Sequence, residues 1–213
     1  MGLAAEVIRR LSPTTAWEEP VDMPWRDATF CVIDLETTGL DLRRDEIISV
    51  GAVKIQEGRI AAGTLYLLAC PPCEISEGSM SIHSILPSEV EDCPPIDELL
   101  DQIRDFAKGS VVVAHAAWIE KAFLNRALKS RGERLPRALV DTAAMARHLG
   151  LAPHGDCEIS LEYLAHVLEL PAVSPHHALG DAMTTAMTFL AMVSRLEERG
   201  EDVSIRGLAQ FGS

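Results

Sequence analysis

The sequence predicts a mixed α/β domain built on a five-stranded sheet that is flanked by helices. The apolar run Phe30–Leu35 is broken only by Asp34, which is typical of a buried central strand. Two further strand-like segments, Ile47–Ile55 and Thr64–Leu68, follow after short links and favour an antiparallel meander. The rest of the chain alternates short apolar runs with helical periods, so we expect a mixed sheet with its first strand near the centre.

The later elements follow from the same periodicities. Val111–Ala114 is interpreted as a short buried strand and Leu139–Val140 as the fifth strand. Asp141 then stands where the N-cap of the next helix is expected. Four segments carry apolar residues at helical spacing: residues 95–107, 118–129, 160–168 and 178–198.

Three parts of the chain are distinguished. Residues 1–28 are interpreted as a short N-terminal helix followed by an irregular arm, and residues 29–199 as the main domain. Residues 200–213 form a C-terminal tail. In the arm, Trp17 and Trp25 either pack on the edge of the domain or belong to a loose tail, and the sequence leaves both readings open.

Composition excludes several classes of protein. Hydrophobic residues make up 47% of the 213 residues, which is sufficient for a sizeable core. Acidic residues outnumber basic ones by 32 to 19, and the pI is about 4.9, which argues against a broad surface for duplex DNA. No apolar run is long enough for a transmembrane helix, and no secretion signal is evident. We therefore expect a cytoplasmic protein that does not bind membranes.

The cysteines raise the question of a structural zinc. Cys70 and Cys73 are spaced as zinc ligands, but no second pair of that form follows in the sequence. The chain has five cysteines, an odd number, and free thiols in a reducing compartment are the favoured interpretation.

An acidic pair stands at the end of the first predicted strand. Asp34 and Glu36 are two residues apart and therefore point to the same face, while Leu35 points to the other. Two carboxylates on an otherwise apolar strand repel each other unless a cation lies between them, and they are natural ligands of Mg²⁺ or Mn²⁺. The alternative is an exposed strand end with two solvated acids. The tight turn allowed by Gly39 favours a ligand site.

Three ordered motifs carry a family resemblance. The segment Val32–Leu40 resembles the first motif of the DEDDh exonucleases, also called DnaQ-like exonucleases, a family that includes polymerase proofreading subunits. His115–Glu120, which reads HAAWIE, is similar to the second motif, and His176–Ala182, which reads HHALGDA, to the third. The resemblance covers about residues 28–195, so the main domain, residues 29–199, is identified as an exonuclease domain.

The resemblance implies a ribonuclease H-like fold and a reaction. It implies a metal-dependent 3′–5′ exonuclease that hydrolyses phosphodiester bonds at the 3′ end of single-stranded DNA or RNA and releases nucleoside 5′-monophosphates. Two divalent cations, Mg²⁺ or Mn²⁺, are implied to activate water and stabilise the leaving oxygen. The implied metal ligands are Asp34, Glu36, Glu120 and Asp181. DNA proofreading or repair and RNA trimming remain open as roles.

The second motif departs from the family pattern. Glu120 replaces an aspartate, which keeps the charge but adds a methylene. Ala116 replaces an asparagine that contacts substrate in relatives. These changes leave open a weak or inactive module that binds nucleic-acid ends or accompanies a polymerase.

Two adjacent histidines compete for the role of general base. On an ideal helix His177 shares a face with Asp181, whereas His176 is about 140° away from it. Spacing alone therefore favours His177. The family motif favours His176, which follows Pro175 on a loop before the helix, and we predict His176 as the base.

Other residues are predicted to contact substrate. His83 lies in a segment similar to one that approaches the terminal nucleotide in relatives, although a surface role is equally compatible with the sequence. His115 is interpreted as a hydrogen-bonded structural histidine. Four consecutive residues match the family segment around the terminal nucleotide: Thr37, Thr38, Gly39 and Leu40.

The C-terminal tail bears on partners. Leu208 and Phe211 are apolar residues that could dock on a polymerase or on a second subunit, and the sequence does not distinguish between these two partners.

Overall fold

A computed structural model of the chain describes Trp17, residues 20–153 and residues 158–212. Its strands are β1 (Thr29–Thr37), β2 (Ile47–Gln56), β3 (Arg59–Leu68), β4 (Val111–Ala114) and β5 (Leu139–Asp141). Its helices are α1 (Glu77–His83), α2 (Pro87–Val90), α3 (Ile96–Ala107), α4 (Trp118–Lys129), α5 (Thr142–Leu149), α6 (Leu161–Val167), α7 (Ala178–Glu198) and α8 (Ile205–Ala209), followed by a 3₁₀ turn, Gln210–Gly212. None of these helices is long and apolar enough to cross a membrane.

The strands form one mixed sheet in the order β3-β2-β1-β4-β5, which confirms the predicted architecture. β1, β2 and β3 are antiparallel to one another in turn, while β4 and β5 continue the sheet in parallel from β1. β3 begins at Arg59 and not at the predicted Thr64, because Glu57 and Gly58 adopt positive φ and form a two-residue hairpin turn. The added residues lie on an exposed edge and lack the apolar alternation that identifies a strand.

The central strand divides the core into two layers. Phe30 and Val32 face a layer that includes α5, α6 and α7, where the ring centroids of Phe30 and Phe189 are 4.9 Å apart. Ile33 and Leu35 face the opposite layer with α3 and α4. The alternation expected for a central strand is therefore observed over the whole of β1.

The two ends of the described chain lie against the domain. Trp17 is buried in the α3–α4 layer and Trp25 in the α5–α7 layer. Pro24 forms an isolated antiparallel bridge with Ser204, so the segment before β1 and the segment after α7 contact each other. The helix predicted near the N-terminus, over residues 3–11, lies outside the described residues.

The C-terminal segment differs from the predicted tail. Residues 205–209 form α8, which begins at the N-cap Ser204, and Leu208 is fully buried in the α5–α7 layer. Phe211 is half-buried and its ring lies 5.2 Å from that of His148. Of the two apolar residues that could dock on a partner, Leu208 is therefore not available, because its side chain is buried within the domain.

The segment between β3 and α3, for which the sequence predicts no helix or strand, contains two short helices. α1 begins at Ser76, whose hydroxyl accepts a hydrogen bond from the Ser79 backbone, and ends at Ser84 in the left-handed conformation. Its buried residues are Ser79 and His83, so no apolar period marks it in the sequence. Its importance is positional, since it lies across the end of β1.

Candidate active site

The acidic cluster forms where α7 crosses β1. Asp34 and Glu36 point to the same face of β1 as the residues that pack on α7. The cross-strand partner of Asp34 is Gly51 of β2, and a Cβ on Gly51 would lie 2.1 Å from the backbone carbon of Ala178. Only glycine allows α7 to begin so close to the sheet. Asp181, in the first turn of α7, is thereby brought against the acidic pair.

Three carboxylates converge closely enough to hold a cation. One oxygen from each of Asp34, Glu36 and Asp181 lies within 4.8 Å of the others. Burial, with repulsion from neighbouring carboxylates, raises the pKa of Asp34 well above its ordinary value. Burial and repulsion from Asp181 raise the pKa of Glu36 to about 7. Burial raises the pKa of Asp181 to about 6, although the His176 backbone N–H and ring oppose the shift. Such crowding disfavours ionised carboxylates and is relieved by a bound cation.

Glu120 reaches the same place from the opposite layer. Because β4 runs parallel to β1, the helix that follows it, α4, begins at the same edge of the sheet, with Glu120 in its first turn. Its side chain is 3% exposed, and its Oε2 has no hydrogen-bond partner. Burial, with repulsion from Asp141 and Glu36, raises its pKa to about 8.

The position of Glu120 differs from that of the other three carboxylates. It is not part of the group within 4.8 Å, although its charge is among the causes that raise the pKa of Asp34. A buried carboxylate oxygen without a partner costs free energy unless a cation or water completes it. The donor set therefore fits hard divalent cations, with Asp34, Glu36 and Asp181 as close ligands and Glu120 at greater distance.

A cavity of about 560 Å³ opens over this cluster. All five residues predicted to be catalytic line it: Asp34, Glu36, Glu120, His176 and Asp181. Four of the five predicted substrate contacts line it too: Thr37, Gly39, Leu40 and His83. The structure thus brings together residues from β1, α1, α4 and the start of α7, while the roles of these residues stay predictions.

Thr38 is the exception among the predicted substrate contacts. Its side chain is fully buried and does not line the cavity. Its hydroxyl donates to Oδ1 of Asp45 at 2.9 Å and accepts from the backbone of Glu46 at 3.0 Å. Thr38 therefore closes the turn between β1 and β2, which places Gly39 and Leu40 at the cavity.

His176 lies on the loop before α7, where the third motif predicts it. Its φ is 59°, and its backbone N–H donates to Oδ2 of Asp181 at 2.9 Å. Its Nε2 is 3.5 Å from Oε1 of Glu162, and its ring is half exposed towards the cavity. His177 occupies the N-cap position of α7 and its ring stacks on Tyr66 instead. The geometry therefore supports His176, and not His177, as the candidate base.

His83 is more buried than a surface histidine would be. Its Nδ1 accepts a hydrogen bond from the Ile85 backbone at 3.0 Å, so the neutral ring carries its proton on Nε2. Nε2 lies 2.8 Å from the hydroxyl of Ser79, which in turn donates to the carbonyl of Thr37. Burial lowers the pKa of His83, in keeping with a neutral ring. His83 thus ties α1 to the end of β1 at the cavity wall.

His115 has the structural contacts that the sequence suggested. Its Nε2 donates to the carbonyl of Ile159 at 2.7 Å, and its Nδ1 is 2.9 Å from the hydroxyl of Thr142. Burial lowers its pKa. The ring therefore links the end of β4 to α5 and to the segment before α6, while also lining the cavity.

From α1 the sequence predicted only His83, and it missed the other residues of this segment that line the cavity. Ser76, Ser79 and Ile82 line the cavity, and Ile82 is 57% exposed. The available signal was the serine N-cap at Ser76, because the helix has no apolar period to reveal it.

Comparison with known sequences assigns a family. The model of the RNase T exonuclease family matches residues 31–189. A PolC-type DNA polymerase III of Caldanaerobacter subterraneus subsp. tengcongensis is 36% identical over 175 residues, which are 82% of this chain and 12% of that protein. A DNA polymerase III subunit epsilon-like protein of Rhodobacter capsulatus is 35% identical over 183 residues, 84% of this chain and 26% of that protein. The matched part of the chain thus spans 12% of the first relative and 26% of the second.

Solved structures show the same fold at lower identity. Exonuclease X in complex with 5′-overhanging duplex DNA superposes with a TM-score of 0.67 at 24% identity, covering 86% of this chain and 99% of that one. Escherichia coli exonuclease I in complex with a dT13 oligonucleotide gives a TM-score of 0.68 at 16% identity, covering 81% and 42%. Together with the family match and the three motifs around one acidic cavity, these likenesses show that the chain belongs to the DEDDh, or DnaQ-like, exonuclease family.

Proposed function

We propose that the chain is a metal-dependent 3′–5′ exonuclease that removes mononucleotides from the 3′ end of single-stranded DNA. The observation that carries the proposal is the convergence of Asp34, Glu36 and Asp181 within 4.8 Å, with the unpaired buried carboxylate of Glu120 in the same cavity. A cluster of this kind is unfavourable without cations and has no evident structural purpose. The named relatives, which are DNA polymerase III proteins, support DNA over RNA as the substrate.

The residues of the cavity have different roles in the proposed reaction. Asp34, Glu36 and Asp181 would hold two divalent cations, Mg²⁺ or Mn²⁺, with Glu120 completing the set. When bound, these ions supply positive charge at the scissile phosphate, the attacking water and the leaving oxygen. His176 accepts the proton of the attacking water as general base. Its backbone contact with Asp181 keeps the imidazole beside the acidic cluster.

The cavity wall suits an unpaired terminal nucleotide. Leu40 is 68% exposed and Ile82 is 57% exposed. Both line the cavity, Leu40 from the β1–β2 turn and Ile82 from α1. Exposed apolar side chains beside a phosphate-binding cluster offer contact to the face of a base. A volume of about 560 Å³ falls within the range of small-molecule sites. An unpaired strand end fits this arrangement because its last base is free to turn into the cavity.

The acidity of the protein is compatible with this substrate. A formal net charge of −13 repels a polyanion at long range. Bound cations reverse the sign of the charge locally, so that a few phosphates are held at the cavity without a basic surface. We therefore infer short contact with the strand and low processivity for the isolated chain.

A degradation assay tests the proposed function. Single-stranded DNA and RNA oligonucleotides labelled at the 3′ or the 5′ end are incubated with Mg²⁺, with Mn²⁺ or with EDTA. We expect stepwise shortening from the 3′ end, faster on DNA, that is abolished by EDTA and by Asp34→Asn. Asp105→Asn removes an exposed carboxylate of α3 away from the cavity and serves as the matched control. Absence of cleavage of either polymer in either metal would contradict the proposal.

A second candidate function is a module that binds strand ends without hydrolysing them. It is favoured by one observation, the position of Glu120 outside the close carboxylate group. In that case 3′-labelled DNA would be bound in the presence of Mn²⁺ and released intact. Glu120→Asp would distinguish the two functions. If this variant cleaved DNA, the longer side chain of glutamate would be the cause of the lost activity in the original protein. The names of the relatives also support a proposed association with a polymerase. A pull-down experiment with a replicative polymerase would test it.

A further inference from the structure

The loop that carries His176 has an unusual backbone. Ser174 has a φ of 41° and His176 a φ of 59°, although neither is glycine. L-residues rarely adopt such conformations, and they persist only where the surroundings determine the backbone from several sides. The contacts that hold this loop therefore decide where the candidate base stands.

Three contacts hold the loop from the side of α7. The backbone N–H of Val173 donates to the hydroxyl of Thr184 at 2.9 Å. The N–H of His176 donates to Asp181. Gly180 lets the loop lie directly on the helix, because a Cβ there would be 2.3 Å from the carbonyl oxygen of Val173. These contacts fix Val173 and the N–H of His176. The carbonyl of His177, the N-cap residue of α7, accepts a hydrogen bond from the Asp181 N–H at 2.9 Å, whereas the His177 side chain makes no capping hydrogen bond to the helix.

The edge strand β3 supplies a contact to the His177 ring. The ring of His177 stacks on Tyr66 of β3, with centroids 4.5 Å apart and planes 20° from parallel. Tyr66 pairs with Gly51 across the β2–β3 ladder, and the backbone of Ala178 lies on Gly51. Tyr66 thus lies beside the point at which α7 contacts the sheet, on the edge strand, and its side chain is 38% exposed.

We propose that Tyr66 is a positioning residue for the reaction. By holding the ring of His177, it adds to the restraint that the hydrogen bond from Asp181 places on the backbone after His176, and so helps to keep the imidazole of His176 at the cavity. The inference rests on the proposed function, because it concerns the base of that reaction. Tyr66 is not among the residues that line the cavity, so its loss should change the rate of the chemical step and leave substrate binding largely unchanged.

Kinetics on single-stranded DNA with Mn²⁺ test this division. Tyr66→Leu is expected to lower kcat by about 10- to 100-fold, because small misplacement of a reacting group has effects of this order, while KM changes by less than about threefold. Tyr66→Phe keeps the ring and should restore kcat to within about twofold of the original. Thr64→Ala alters an exposed residue on the same face of β3 and serves as the control. Equal kcat in Tyr66→Leu and the original protein would overturn the proposal, as would failure of Tyr66→Phe to rescue.

A second measurement does not depend on catalysis. In NMR spectra of histidine-labelled protein, ring-current shielding by Tyr66 should move the His177 ring protons upfield. Tyr66→Leu should abolish that shift and also move the His176 resonances, whereas Tyr66→Phe should preserve both. If the original protein proves inactive, the proposed function fails, and the His176 resonances alone then decide whether Tyr66 positions this ring. Unchanged His176 resonances in Tyr66→Leu would overturn the inference.

Discussion

The two halves of the acidic site are built differently. The β1–α7 half, consisting of Asp34, Glu36 and Asp181, rests on close backbone contacts that only glycine permits, at Gly51 under α7 and at Gly180 under the preceding loop. In this half the carboxylates already lie within 4.8 Å of one another. Its geometry is therefore set by packing of the sheet against the helix, before any ligand binds.

The α4 half, consisting of Ala116 and Glu120, lacks such support. Ala116 has a φ of 53°, a conformation that alanine adopts at a cost, and Glu120 ends in an unpaired oxygen outside the close group. Two departures from the family motif fall at these same two positions. The difference suggests that the β1–α7 half provides the essential cation site and that the α4 half adjusts it, and the following predictions test that division.

The largest expected effect is a loss of kcat, and its size should differ between substitutions in the two halves. Asp34→Asn should lower kcat by about 10²- to 10³-fold, since loss of one group that stabilises developing charge in a preorganised site has effects of this order. Glu120→Gln should cost less, about 10- to 100-fold, as for groups that support metal ligands. Single-turnover kinetics in Mn²⁺ measure both losses, and titration calorimetry with Mn²⁺ measures the accompanying loss of metal affinity. Equal losses from the two substitutions would contradict the proposed division.

The second prediction concerns the packing under the β1–α7 half. Gly51→Ala places a Cβ 2.1 Å from the backbone of Ala178, so α7 must move. We expect a loss of about 1–3 kcal/mol in the free energy of unfolding, as for overpacked cores, together with loss of activity. Urea denaturation measures the first effect. Gly78→Ala is the control for the urea measurement, because a Cβ there meets nothing closer than 4.0 Å and the position lies in α1. A fully stable Gly51→Ala protein would refute the close contact.

The third prediction is a dependence of stability on pH. Without metal, the folded protein keeps protons on its acidic site up to the raised pKa values of about 6 for Asp181, 7 for Glu36 and 8 for Glu120. Unfolded carboxyls lose theirs near pH 4.5 or below. Between these limits the folded state binds more protons, so its stability should fall as pH rises from about 4.5 to 8.

The measurement is the melting temperature at several pH values, with EDTA and with Mn²⁺. We expect Tm to fall by several degrees in EDTA, since each kcal/mol shifts Tm by about 2–4 °C in a domain of this size. Mn²⁺ should remove the fall, because the cation replaces the protons. Glu120→Gln should flatten the curve at its alkaline end. A Tm that rises between pH 5 and 8 in EDTA would show that the carboxylates are not crowded.

Much of this arrangement was predictable from residue patterns. The placement of β1 at the centre followed from an apolar run interrupted by one acid, and the shared face of Asp34 and Glu36 followed from the period of a strand. α7 was predictable from its length and apolar spacing. The extended β3 and the helix α1 were not, since their positions are set by a hairpin turn at Glu57 and by a serine cap at Ser76.

Contacts between distant segments also could not be predicted from the sequence. The stack of Tyr66 on His177 and the approach of α7 to Gly51 join residues more than 100 positions apart, and no local pattern encodes them. Apart from His83, the candidate site residues were predicted through three motifs. The separate position of Glu120 within the cavity required coordinates, because one added methylene does not reveal where the oxygens lie.

The smallest expected effect is an increase in stability from a substitution in the α4 half. Ala116→Asn should stabilise the protein by roughly 0.5–1 kcal/mol, because asparagine is far more frequent than alanine at positive φ and a residue suited to its native backbone conformation stabilises the fold by about this amount. Because Ala116 lines the cavity, the new amide should also lower KM for single-stranded DNA. Urea denaturation and steady-state kinetics measure the two effects. Ala116→Val is the matched control, since a β-branched residue at this φ should destabilise the fold. Destabilisation by asparagine would mean that the turn before α4 tolerates alanine for reasons of packing, and the α4 half would then be as constrained as the β1–α7 half.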